Sequence, residues 1–406
     1  MKQIKLYKRY DLEKCDESLN IDWSRRTNKF FSRLHSISSY LAMFCPALPK
    51  YFIDKYSQPN DLVMDSFSGR GTTALVCREV NRRFIGTDLN PYAFVLTRFK
   101  ISSNLKLKKI LNRLDCLEQE FKNNHTQFSE ITCLNQYSDL LPYYSPSVLY
   151  QLIFLRDTLG KNWQTLNDVD NAILAIALGL MHGQTRKDNT TIYFSVSMPN
   201  TISMSPNYVR KYVDKHNLQH PNVNIFTNIK TRMIRKYDEA ILSSNFSGTI
   251  LFDDATKHNK KIKDNSVSLV VTSPPYLSVV NYRVSNWLKL WLLGYEKTKL
   301  NEQIKLSDHL KFDEYVVFIK NYLNAIHKKL KDKAKVCLVI GDVHGKKLIQ
   351  DVWKQIESDV KYQFVELYCD CNYTQNNKIT NMLNNKKGAA TIVEKVLVLE
   401  KYDDKK

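Results

Sequence analysis

Asp61-Leu-Val-Met-Asp65 runs directly into Ser66-Phe-Ser-Gly69-Arg-Gly71-Thr-Thr73, and Arg83-Phe-Ile-Gly-Thr-Asp88 then runs into Leu89-Asn90-Pro91. Each apolar run has the length and β-branched content of a short buried strand. A helix is expected from about Thr72 to Asn81 and a second from Pro91 to about Lys100. Strand, helix, strand and helix joined by connections this short open a parallel, doubly wound sheet.

Working outward, the sheet resumes at Gly248-Thr-Ile-Leu-Phe-Asp253-Asp254-Ala255, a strand with acids at its carboxyl end. Val267 to Val271 is the next strand, and it ends in Thr272-Ser-Pro-Pro-Tyr276. Two prolines stop it, because proline donates nothing to a ladder and restricts the residue before it. A helix is expected over Phe312 to Lys331, strands over Lys335 to Ile340 and Lys361 to Cys369, and a helix over 346–358 between them. A polar loop over 372–390 precedes the last strand, Val393 to Glu400, which is expected to pair antiparallel with the strand before it. The expected fold class is α/β: a doubly wound, mostly parallel, seven-stranded Rossmann-like sheet with an antiparallel last strand.

Between the second and third strands lies a large, mainly helical insertion, residues 101–246. Ser145-Pro146 starts one of its helices by the usual N-cap and first-turn preferences. Asn167 to Met181 is strongly apolar, with Gly183 just past its end. Residues 185–235 are rich in Arg, Lys and Tyr. The division expected is residues 1–100 with 247–406 as the sheet domain, and 101–246 as the insertion.

The 406 residues carry a net charge of +19, from 60 Lys and Arg against 41 Asp and Glu. That balance fits a polyanionic partner, nucleic acid first. The first ten residues are too charged for a signal peptide, and no stretch approaches the ~18–20 apolar residues of a membrane span. A soluble, cytoplasmic protein without a membrane partner is expected. Eight cysteines are scattered without a CxxC pair, so no metal is expected and the thiols read as reduced.

The glycine turn after the first strand lets backbone approach a ligand closely and aims a helix start at it. It is not the dinucleotide pattern, since Ala74 stands where the third glycine would be, and it lacks the lysine of a phosphate loop. Asp88 ends the second strand, where a carboxylate grips the two hydroxyls of a ribose. Asp254 ends the third strand. Acids and glycines on successive strand ends of one sheet edge describe a nucleoside-binding crevice, and Ser273-Pro274-Pro275-Tyr276 sits on the same edge.

These residues together resemble the S-adenosylmethionine-dependent amino-methyltransferases of DNA. The matching motifs are Asp65-x-Phe67-x-Gly69-x-Gly71-Thr72-Thr73, Asp88-Leu-Asn90-Pro91, Asp254-Ala255 and Thr272-Ser-Pro-Pro-Tyr276. Met43-Phe-Cys-Pro46-Ala-Leu-Pro49 looks like the family's segment beside the methionine part of the cofactor, while Gly341-Asp342 and Glu394 to Lys401 look like its later strand motifs. The resemblance covers about 35–100 and 247–401. It implies S-adenosylmethionine as methyl donor, bound through Asp65, Phe67, Gly69, Gly71, Thr72, Thr73, Asp88, Asn90, Asp254, Ala255 and Pro46. It implies Ser273, Pro274, Pro275 and Tyr276 as the catalytic set, the last as a stacking face for a flipped base.

Methylation at cytosine C5 needs a cysteine nucleophile, typically after a proline; here Cys45-Pro46 has the reverse order. Serine before Pro-Pro is usual in cytosine-N4 enzymes of the family, and Asp or Asn in adenine-N6 enzymes. The resemblance therefore implies a cytosine-N4-specific modification enzyme acting on double-stranded DNA near the nucleoid, with a cognate restriction endonuclease as possible partner. The alternatives are an adenine-N6 enzyme, an RNA methyltransferase and a catalytically silent nucleic-acid-binding module. Residues 101–246 are the expected target-recognition region.

Overall fold

The computed structural model describes residues 3–7, 17–20, 31–41, 45–124, 136–188, 190–275, 277, 281–307, 310–342, 347–370 and 394–403. Nine strands form one sheet: β1 Gln3–Tyr7, β2 Glu17–Asn20, β3 Leu62–Asp65, β4 Arg83–Asp88, β5 Gly248–Phe252, β6 Val267–Thr272, β7 Leu330–Gly341, β8 Tyr362–Asp370 and β9 Glu394–Lys401. Their spatial order is β2-β1-β8-β9-β7-β6-β3-β4-β5. The seven strands from β3 to β9 are the expected Rossmann-like set. Strands β3 to β7 run parallel, and β9 is antiparallel to both β7 and β8, as the last strand was expected to be.

Three details depart from the sequence reading. The N-terminal residues, assigned no strand from the sequence, contribute β1 and β2, which pair antiparallel and extend the sheet beyond β8. The helix over Phe312–His327 stops short of Lys331, because β7 already begins at Leu330. Strand β5 ends at Phe252, so Asp253 and Asp254 lie in the turn beyond it. Asp253 Oδ1 accepts the Asp254 amide at 2.8 Å, and Asp254 Oδ1 accepts the Thr256 amide at 2.9 Å. These local side-chain bonds draw the chain out of the ladder.

The point that positions the site is β3. Its neighbours are β4 on one side and β6 on the other, with Val63 opposite Leu269 and Met64 opposite Val270. The chain order reverses there, and a doubly wound sheet opens a crevice beyond the carboxyl ends of its strands at such a point.

The helices of the insertion do not form a separate core. Leu107–Asn124, Pro146–Thr158, Asp168–Leu180 and Ile225–Lys236 contribute buried apolar residues to the same cluster as Ala47–Tyr56, Thr72–Glu79 and Pro91–Ile101. Asn171 Nδ2 donates to the Val95 carbonyl at 3.3 Å, and Gly179 lies against the backbone of Ile37. The other sheet face has its own cluster, built on Tyr315, Tyr322, Val352 and Trp353 from the helices Phe312–His327 and Leu348–Ile356.

Candidate active site

Asp65 closes β3 and is buried. Its Oδ1 accepts the Thr272 hydroxyl at 2.6 Å and the Phe67 amide at 3.2 Å, while Thr272 Oγ1 accepts the same amide at 3.1 Å. Three groups thereby pin the start of the glycine turn to the tip of β6. Burial pushes the Asp65 carboxyl up to about 6, against the pull of the Thr272 hydroxyl.

The turn then takes two left-handed backbone conformations, which glycine adopts at less cost than any other residue. Gly69 has φ +52° and Gly71 φ +73°, and a Cβ on Gly71 would stand 2.7 Å from Thr97 Oγ1. Gly71 begins the helix Thr72–Glu79, which has no side-chain N-cap. Thr97, on the helix Pro91–Ile101, donates to the Gly69 carbonyl at 3.2 Å and holds the turn from below.

Asp88 closes β4 beside this turn. Its Oδ2 accepts the Gly69 amide at 2.7 Å and its Oδ1 the Asn90 amide at 2.8 Å. Each carboxylate oxygen has capacity for a further donor. Burial pushes this carboxyl up to about 7, against the pull of the Asn90 and Gly69 amides. Asn90 caps the following helix by accepting the Tyr92 amide at 3.1 Å, and its Nδ2 donates to the Tyr40 hydroxyl at 3.0 Å.

These elements surround a cavity of about 880 Å³ counted with its open mouth, a size that suits a nucleoside-sized ligand. Of the residues singled out in the sequence, Phe67, Gly69, Thr72, Asp88, Asn90, Asp254, Ala255, Ser273 and Pro275 line it. Asp65, Gly71, Thr73 and Pro274 do not; Asp65 and Thr73 are buried, and Pro274 lies between two lining residues. Pro46 is buried at the start of the helix Ala47–Tyr56 and is not among the lining residues. Tyr276, Met43, Phe44 and the loop 372–390 lie outside the described residues.

The sequence reading missed Tyr40, Ser66, Ser68, Arg70, Leu89, Asp253, Leu306, Ser307 and Phe318, and Tyr282 lines the cavity as well. Tyr40 lies between two other rings, 5.5 Å from Tyr92 and 5.8 Å from Tyr282, centroid to centroid. Phe318 comes from the helix Phe312–His327 and packs 5.7 Å from Phe67. Arg70 and Asp253 stood inside the quoted stretches; their charge was a signal that could have been used. Nothing in the spacing of Tyr40 or Phe318 could have found them.

Among the described residues no group of three or more His, Cys, Asp or Glu could hold a metal, and no helix is long and apolar enough to cross a membrane. His35 and His182 are buried. His35 pairs with Glu79 at 3.3 Å, and His182 Nδ1 meets the Pro199 carbonyl at 2.7 Å.

Residues 5–98 match the model of a DNA methylase family that spans N6 and N4 methylases. The type II methyltransferase M.MjaII of Methanocaldococcus jannaschii is 21% identical over 402 residues, covering 79% of this chain and 74% of its own. M.BsoBI of Geobacillus stearothermophilus is 22% identical over 312 residues, with 72% of this chain and 59% of its own length covered. M.PvuII of Proteus hauseri is 33% identical over 86 residues, or 20% of this chain and 26% of its own. Among solved structures, TrmN of Thermus thermophilus aligns with TM-score 0.34 at 10% identity, over 91% of this chain and 52% of its own. A SAM-dependent O-methyltransferase of Thermotoga maritima aligns with TM-score 0.34 at 7% identity, over 100% and 94%. Likenesses of that degree add nothing to the fold already read from the strand order.

Proposed function

We propose that this chain, a member of the DNA methylase family, is a modification methyltransferase that places a methyl group on N4 of cytosine in duplex DNA. Membership rests on the match over residues 5–98 and on the type II methyltransferases similar to it along most of its length. The observation that carries the reading is the pin between Thr272 and Asp65. It sets Ser273, at the tip of β6, against the same cavity that the glycine turn and Asp88 line.

The cavity fits S-adenosylmethionine on its own chemistry. Asp88 has spare acceptor capacity for the two ribose hydroxyls, the glycine turn admits backbone contact, and Asp254 and Ala255, which line the cavity, would flank the adenine. When bound, the cofactor supplies an electrophilic methyl on its sulfonium.

An exocyclic amine is a poor nucleophile because its lone pair is delocalised into the ring. Ser273 Oγ and the Pro274 carbonyl accept its two N–H groups, which draws the nitrogen toward tetrahedral and localises the lone pair. The proton lost as the new bond forms passes by way of the Ser273 hydroxyl to solvent at the open mouth of the cavity. The chain contributes position and oriented dipoles rather than a covalent intermediate. A base inside a duplex must be flipped out to reach Ser273.

The basic surface of the insertion supports a role in holding DNA. Arg186, Lys187, Arg210, Lys211, Lys215 and Arg235 are all exposed, and exposed cations of this kind neutralise phosphates. With a cognate endonuclease on the same sequence, the activity would protect host DNA. Adenine N6 is the second reading, because the family model spans both amines.

One experiment decides the product. Protein, DNA and S-adenosylmethionine labelled in its methyl group are incubated, the DNA is digested to nucleosides, and the labelled species is identified by mass. Label on N4 of deoxycytidine is expected; label on N6 of deoxyadenosine would overturn the cytosine reading.

A further inference from the structure

The cavity has an uneven distribution of charge that the reading above leaves unexplained. Asp88, Asp253 and Asp254 supply acids, and Arg70 is the single cation among the described lining residues. Arg70 stands between the two glycines of the turn. Its Nε–H donates to Thr72 Oγ1 at 3.2 Å, and no ion pair to it occurs among the described residues. Its other two nitrogens therefore retain their capacity to donate.

A guanidinium in a cavity wall without an acid is costly, and the surroundings raise that cost. Lys100 is buried, and its Nζ donates to the Arg70 carbonyl at 2.5 Å. Burial and the neighbouring Arg70 charge hold the Lys100 ammonium well below its ordinary range. Burial also brings the Arg70 guanidinium down to about 10, so it stays charged at neutral pH. The adjoining helix Thr72–Glu79 adds the positive end of its dipole without a capping side chain. The Arg70 guanidinium and an uncapped helix start converge on one side of the cavity, and an anion there would relieve both.

The position of that anion relative to the acids identifies it. Asp88 Oδ2 is bonded to the amide of Gly69, the residue next to Arg70. A nucleoside whose ribose hydroxyls rest on Asp88 has to place its remaining substituent along the turn. We propose that Arg70 binds the α-carboxylate at the methionine end of S-adenosylmethionine through its two free nitrogens, in the forked geometry that guanidinium and carboxylate share. This rests on the cofactor reading and extends it: the pocket selects for the amino-acid end of its ligand, not only for the nucleoside.

The full-length chain is titrated calorimetrically with S-adenosylhomocysteine, which keeps the carboxylate, and with 5′-methylthioadenosine, which has the same nucleoside and thioether but no amino acid. In the parent the first should bind more tightly. Arg70→Gln should weaken S-adenosylhomocysteine on the order of 10- to 100-fold, the loss of a charge-assisted hydrogen-bonded pair, and leave methylthioadenosine within about twofold. Arg70→Lys, which keeps the charge but not the fork, should recover part of the loss.

Equal loss on both ligands would make Arg70 a support of the turn and overturn the assignment. So would unchanged S-adenosylhomocysteine binding with a weakened, less salt-dependent affinity for DNA, which would give Arg70 to a phosphate. A parent chain that bound neither ligand would instead overturn the cofactor reading on which the assignment stands.

Discussion

The strand-end crevice and the helical layer over 107–242 bury polar groups to opposite effect. In the crevice, Asp88 and Arg70 are held by backbone and a neighbouring hydroxyl, yet each retains unused capacity facing a cavity. In the helical layer, Arg156 and Gln151 are spent on the chain itself. Arg156 donates to the Trp291 carbonyl at 2.8 Å and the Gly294 carbonyl at 3.1 Å. Gln151 donates to the carbonyls of Ser147 and Val223 and accepts the Ile225 amide. A buried polar group that closes on its own fold supports structure; one that is oriented but unfinished is available to a ligand. For these four residues the distinction separates site from scaffold by what faces a cavity, which burial alone does not.

The largest effect that could break this division is at Ser273. Ser273→Ala should lower kcat by about 10²- to 10⁴-fold, the range for losing a positioned proton-handling group, while cofactor affinity stays within about twofold. Single-turnover kinetics with calorimetry would show it, and a variant with near-parental kcat would remove Ser273 from the mechanism.

Asp88 comes next. Ribose hydroxyls donate to the ionised carboxylate, so binding should lower its pKa from the value of about 7 in the free site. Affinity should then be level above pH 7 and fall as the pH drops through 7, by at most about tenfold per unit. Asp88→Asn should cost about 10- to 100-fold in affinity at pH 8 and flatten the profile. A parent profile already flat from pH 6 to 8 would show that the hydroxyls are held elsewhere.

On the scaffold side, Arg156→Met should destabilise the fold by about 1–3 kcal/mol, since it removes the charged donor to the Trp291 and Gly294 carbonyls. Turnover per folded molecule should be unchanged. Urea unfolding with activity normalised to folded fraction tests both halves.

A last effect is at Lys289, whose amine is buried, has no acid partner among the described residues, and meets the Asn200 carbonyl and Asn286 Oδ1, both at 3.4 Å, with the Tyr92 ring centroid at 4.8 Å. Burial lowers it to about 7 from 10.5. Between those two values the unfolded chain holds a proton that the folded chain lacks, so stability should rise with pH from about 7 toward 10, by at most about 1.4 kcal/mol per unit. Lys289→Met should remove that slope, and thermal unfolding across the range would measure it.

The strand ends were legible because the chemistry there dictates residue type. Glycine takes the left-handed φ of 69 and 71 at least cost, a Cβ at 71 would meet Thr97, and a carboxylate at 88 is where a ribose would need one. Tyr40 and Phe318 were not legible, since an aromatic wall can be drawn from any element that folds back onto the edge. The insertion hid a different fact. Its apolar helices read as a unit of their own, yet Gly179 packs on Ile37 and Asn171 bonds to Val95, so its core is continuous with one face of the sheet. Periodicity identifies an apolar face but not what covers it. The residues 185–235, read as recognition elements, present exposed cations here, and which bases they would read depends on side chains that carry no spacing rule.

The Thr272 hydroxyl has a single proton, which it gives to Asp65 while it takes the amide of Phe67. A group engaged in both directions leaves no slack between the jaw that would hold the base and the cradle that would hold the donor. The two behave as one anvil, and whatever opens to admit a nucleotide has to hinge on the side of the crevice that lacks this rivet. Fidelity of alignment is then set when the chain folds, before any substrate arrives.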